Sequence, residues 1–100
     1  MSNLEKIHGL LDEIDSLLQS ECPGFTGVCF HIADDGYRTI YVEKRDIYSD
    51  VPFDEKKSLC LLEQSCINGE WKPDESNRHN EWLKKNGMLW EEAEKNDAGT

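Results

Sequence analysis

The chain predicts an α+β domain: a small antiparallel sheet packed with about three helices, in the order α-β-β-α-α. Three observations lead there. The first twenty residues place leucine and isoleucine at helical spacing. Two alternating runs then flank the turn Asp34-Asp35-Gly36. After Pro52 the helical spacing returns.

The first helix runs from Asn3 to Ser20. Leu4, Ile7, Leu11, Ile14 and Leu18 recur at intervals of three and four, which puts them on one helical face, and Leu10 and Leu17 widen it. Glu5, His8, Asp12, Asp15 and Gln19 form a polar stripe on another side. Ser2 or Asn3 supplies the N-cap, and Pro23-Gly24 stops the helix.

The hairpin follows. Gly27 to Ala33 alternates, as does Tyr37 to Arg45, and the loop sets the register. A two-residue Asp35-Gly36 turn would oppose Phe30 to Tyr41. A three-residue Asp34-Asp35-Gly36 loop with a left-handed glycine opposes Phe30 to Ile40 and Val28 to Val42. The second register gathers Val28, Phe30, Ile32, Ile40 and Val42 on one face, so it is the expected one, with that face buried under the first helix. Cys29, His31, Tyr37, Thr39 and Tyr41 then share the other face, which is either covered by a later helix or offered to a partner.

Beyond the hairpin, Asp46 to Phe53 reads as a connector with room for a short edge strand at Ile47-Tyr48. Asp54 caps a helix to about Asn68, with Leu59, Leu62 and Cys66 inward and Gly69 as its stop. Gly69 to Pro73 is a loop or brief strand. A last helix begins at Asp74 to Ser76 and carries Trp82, expected in the core, and Leu83, with a break at Asn86-Gly87 before Leu89 and Trp90. There is no repeat or linker, so residues 1–100 form one acidic domain with a frayed tail at 96–100.

Charge narrows the function. Twenty-one acidic residues face eleven basic ones, a formal charge of −10. It is diffuse: residues 1–33, 34–57 and 58–100 carry net −4, −2 and −4. Such a field repels nucleic acid and anionic lipid and attracts cationic partners. No apolar run approaches the roughly 20 residues of a membrane span. The first residues lack the basic start and unbroken apolar stretch of a signal peptide, so a cytoplasmic location with reduced cysteines is expected.

Catalytic and metal chemistry find little support. Cys22, Cys29 and His31 lack the tight knuckle spacing of zinc modules. Cys60 and Cys66, on a helix, would point about 120° apart. Cys29 and His31, two apart on a strand, stand parallel rather than as nucleophile and base. Asn77-Arg78-His79-Asn80 has the His-Asn pair of small metal-dependent nucleases without the preceding hairpin and second histidine. Asp34-Asp35-Gly36 lacks a calcium loop's ligand ladder. No catalytic residue, metal or cofactor is therefore assigned.

The expected function is that of a non-enzymatic acidic binding protein that inhibits or modulates a basic partner. It would be an immunity-type protein or mobile-element inhibitor, with a nucleic-acid mimic of a toxin or nucleic-acid enzyme's substrate as one form. Direct nucleic-acid or membrane binding is not expected. The candidate contact residues are Glu5, Asp12, Asp15, Glu91, Glu92 and Glu94 for charge. Trp71, Trp90, Tyr37, Tyr41 and His31 are the aromatic anchors. The alternatives are a homodimeric structural or adaptor protein joined through the first helix or the outer sheet face, and a small zinc or thiol enzyme using Cys29 and His31.

Overall fold

The computed structural model describes residues 2–90. Helix α1 (Asn3–Glu21) leads into a four-stranded antiparallel meander of β1 (Gly27–Ile32), β2 (Arg38–Arg45), β3 (Ser58–Ile67) and β4 (Glu70–Trp71). Helix α2 (Ser76–Lys85) follows, and a single 3-10 turn spans Phe53–Glu55. Among the described residues there are thus two helices rather than about three.

Local chemistry accounts for the first half. The Ser2 hydroxyl accepts from the Glu5 amide and caps α1. The Cys22 amide closes the last turn on the Leu18 carbonyl before Pro23 interrupts the ladder. The hairpin takes the expected register, with Val28 opposite Val42, Phe30 opposite Ile40 and His31 opposite Thr39. Gly36 lies at φ +90°, a conformation that costs an L side chain but not glycine, and the Asp35 carboxylate accepts from the Tyr37 amide to fix the loop.

The second half corrects the expectation. Residues 58–67 form a strand where a helix to about Asn68 was expected. The cause is a β-bulge. Strand β3 pairs Val42 with Leu62 but Glu43 with Cys60, leaving Leu61 as an extra residue. Leu59, Leu62 and Cys66 therefore share a face at spacings of three and four, which imitates a helical stripe. The turn into β4 is Asn68-Gly69, both left-handed at φ 54° and 79°, which is hairpin geometry rather than a helix C-terminus. The same bulge puts Cys60 and Cys66 on opposite faces of the sheet. The stretch Ile47-Tyr48 is an exposed turn, not an edge strand, and β4 is the brief strand allowed for between Gly69 and Pro73.

The core is small. Leu18, Cys22 and Val42 are buried together, with Ile14, Phe25, Val28, Ile40, Leu61 and Leu62 packed around them. The helix α1 covers the expected face only at its C-terminal end. Of the five residues expected under it, Val42 is buried and Val28 and Ile40 half-buried. Phe30 is exposed, and Ile32 retains 78% of its accessible surface.

On the opposite face α2 lies against β3 through buried Leu83 and through Asn80. Because β4 is only two residues long, most of the outer edge of β3 has no neighbouring strand, and other groups satisfy it. The Met88 carbonyl and Trp90 amide pair with Ser58. The Asn80 side chain pairs with both backbone groups of Cys60. Asp74 and the Glu75 amide pair with Glu63, and the Lys72 amide with Ser65. This accounting explains where α2 sits, since buried backbone groups left unpaired are costly.

Candidate functional site

Two surfaces carry side chains arranged for more than packing, one on each face of the sheet. The first is a polar and aromatic cluster under α2. The Tyr41 hydroxyl is 3.3 Å from the Glu43 carboxylate, which also pairs with the Arg45 guanidinium at 3.0 Å. That guanidinium lies over the Phe53 ring, 4.4 Å from its centroid. Across β3, Glu63 sits opposite Tyr41 and pairs with His79 Nδ1 at 2.8 Å. The His79 ring contacts those of Tyr41 and Trp82. A depression of about 190 Å³ opens beside Glu63, Glu75, Arg78, His79 and Trp82.

The cluster joins β2, β3 and α2 through paired side chains. The Cys60 thiol is 3.9 Å from the Glu63 carboxylate, and burial, reinforced by that charge, pushes it up to about 12. A nucleophilic cysteine needs the opposite, a depressed thiol beside a cation or base. Burial and the Glu43 charge likewise hold the Tyr41 phenol well above its ordinary value, so it keeps its proton. The depression is also below the roughly 300–1,000 Å³ of ordinary small-molecule pockets. Among the described residues, no group of three or more His, Cys, Asp or Glu side chains is disposed to hold a metal ion.

The second surface is apolar. Between α1 and the uncovered end of the sheet runs a groove of about 420 Å³, lined mainly by Leu11, Ile14, Phe30, Ile32, Ile40 and Trp71. Arg38 lies in it, its guanidinium 5.7 Å from the centre of the Trp71 ring and 3.2 Å from the Cys66 sulfur. Toward its N-terminus α1 exposes Leu4, Ile7, Leu10 and Leu11.

The candidate residues divide between these places. Glu5, Asp12 and Asp15 are exposed on α1, as expected for a polar stripe. His31 and Trp71 both line the groove. Tyr37, with its ring 6.2 Å from that of His31, sits at the hairpin end. Tyr41 is on the other face, half-covered by α2, so the outer sheet face is covered at Tyr41 and open at Cys29 and His31. Trp90 is half-buried, its backbone amide donating to the Ser58 carbonyl. Its buried indole Nε1 has no partner among the described residues. Glu91, Glu92 and Glu94 lie outside the described residues. Trp82, expected in the core, is 59% exposed at the rim of the cluster.

Sequence reasoning missed Glu63 and Arg38, and it weighed His79 and Asn80 only as a nuclease-type pair, not as partners of Glu63 and Cys60. The Asn68-Gly69 pair was the available signal. Taken as a hairpin turn, it makes 58–67 a strand and brings Glu63 beside Tyr41. Among the described residues, no helix is long and apolar enough to cross a membrane. Comparison with protein-family models, with curated proteins and with solved structures finds no match for this chain.

Proposed function

We propose that this protein is a non-enzymatic acidic binding protein that engages a basic protein partner and inhibits or modulates it, in the manner of an immunity protein or a mobile-element inhibitor. The observation that carries the reading is the uncompensated carboxylate stripe of α1. Glu5, Asp12 and Asp15 are exposed on a helix whose N-terminal part stands clear of the core. Among the described residues the ion pairs are Arg45–Glu43 and Lys72–Glu70, with His79 in contact with Glu63, and none of these neutralises that stripe. With a formal charge of −10 behind it, the stripe presents a field that steers cations toward it. The polar cluster supports the reading in one respect: burial raises the Cys60 thiol, whereas a cysteine nucleophile needs it lowered.

The experiment is affinity capture on the immobilised chain from its native source, eluted with a salt gradient. A basic protein released at moderate ionic strength, and lost when Glu5, Asp12 and Asp15 are changed to lysine, is the expected result. Capture that survives both treatments would count against a charge-led interface.

A further inference from the structure

We infer that the groove between α1 and the sheet is the docking site for α1 of a second copy, so that the protein forms a two-fold symmetric dimer. Three observations support this. The first is area. Leu4, Ile7, Leu11, Phe30, Ile32 and Trp71 retain between 43% and 78% of their accessible surface. Together they expose on the order of 700 Å², above the roughly 300–600 Å² of the largest apolar patch on ordinary monomers. A standard interface takes about 800 Å² from each partner, so these six residues come close to supplying one.

The second observation is charge. Arg38 lies in the groove with no carboxylate partner among the described residues. A basic partner would be repelled there. An amphipathic helix bearing acids beside an apolar stripe would instead supply both the missing carboxylate and the apolar cover. The helix α1 is such an element, with Asp15, Asp12 and Glu5 flanking the stripe of Leu4, Ile7 and Leu11. The third observation is symmetry. Each copy carries both the stripe and the groove, so a two-fold axis lets each helix enter the other's groove and closes the assembly at two. It would also cover the N-terminal part of α1, which makes little contact with its own sheet and gains little stability as an isolated helix.

This dimer does not rest on the basic-partner reading, although both draw on the carboxylates of α1, and salt separates the two. Each copy carries a formal charge of −10, and that repulsion outweighs the one Arg38–carboxylate attraction in each groove, so dimerisation strengthens as salt rises, whereas capture of a basic partner weakens. The test is sedimentation equilibrium of the full chain between about 1 and about 100 μM, the range in which an interface of micromolar affinity populates. The expected result is a reversible dimer, tighter at high salt. Ile7→Asp and Ile32→Asp should each weaken it at least about tenfold, as loss of a central apolar contact does. Tyr48→Asp, at an exposed aromatic outside the groove, should leave it unchanged. Both isoleucines are more than half exposed, and circular dichroism checks that the variants remain folded. In the unmodified chain, amide exchange in α1 and β1 should slow with concentration. A monomer throughout, a dimer indifferent to both isoleucine changes, or exchange independent of concentration would overturn the inference.

Discussion

Removing the Asn80 side chain probes the joint between α2 and the sheet. Its Oδ1 accepts from the Cys60 amide at 2.7 Å and its Nδ2 donates to the Cys60 carbonyl at 2.9 Å. Cys60 retains only 3% of its accessible surface, so Asn80→Ala leaves two backbone groups stranded. Each unsatisfied buried group costs about 1–3 kcal/mol, and water entering the space left by the amide recovers part of that. A net loss of roughly 2–4 kcal/mol is expected, a large share of the 5–15 kcal/mol typical of a domain. Urea titration followed by tryptophan fluorescence and circular dichroism measures it. The midpoint should fall with the slope unchanged, because the surface exposed on unfolding is the same. Amide exchange at Cys60 should accelerate. Asn80→Asp, which keeps the acceptor but sets a carboxylate oxygen against the Cys60 carbonyl in place of the donor, should cost no less. A loss below about 1 kcal/mol for Asn80→Ala would refute the claim that this side chain completes the open edge of β3.

The turn glycines and the thiols give further tests. Gly36→Ala and Gly69→Ala should each cost about 1–2 kcal/mol in the same titration, the ordinary penalty for a left-handed L residue. Nothing lies within 4 Å of either added methyl, so a much larger loss would point to a clash that the structure does not contain. The Cys60 thiol is held protonated by burial, its folded pKa lying above its unfolded value. Its contribution to stability is therefore complete below about pH 9 and is lost as pH climbs toward about 12. The alkaline limb of the stability profile should be shallower in Cys60→Ala. Exposed Cys29 should react with iodoacetamide well before buried Cys60, read by peptide mass.

How far the sequence could be read depended on how local each signal was. The α1 stripe repeats every turn, its Ser2 cap marks the start, and the Asp34-Asp35-Gly36 loop determines its own pairing, so helix and register were legible. The β3 segment was not, because its bulge at Leu61 converts strand alternation into the spacing of a helix. Only Asn68-Gly69 argued against that spacing, and a glycine after an apolar run also suits a helix end. Extent of burial was illegible for a different reason. An apolar face is visible in Val28, Phe30 and Ile32, but how much of it α1 covers depends on non-local packing, and only its C-terminal end reaches the core. The polar cluster depends on two non-local events, the β2–β3 pairing that opposes Tyr41 to Glu63 and the docking of α2 that brings in His79. The exposed stripe of Glu5, Asp12 and Asp15 needed neither.

The association rate with the captured basic partner tests the binding proposal most directly. Stopped-flow or surface kinetics at about 0.05 M and about 0.5 M salt brackets strong and weak screening over interface distances. If Glu5, Asp12 and Asp15 steer the encounter, the rate should fall at least about tenfold across that range. Reversing the three charges should lower the low-salt rate by a similar factor, with a smaller effect on dissociation. An association rate indifferent to both salt and charge reversal would contradict the account.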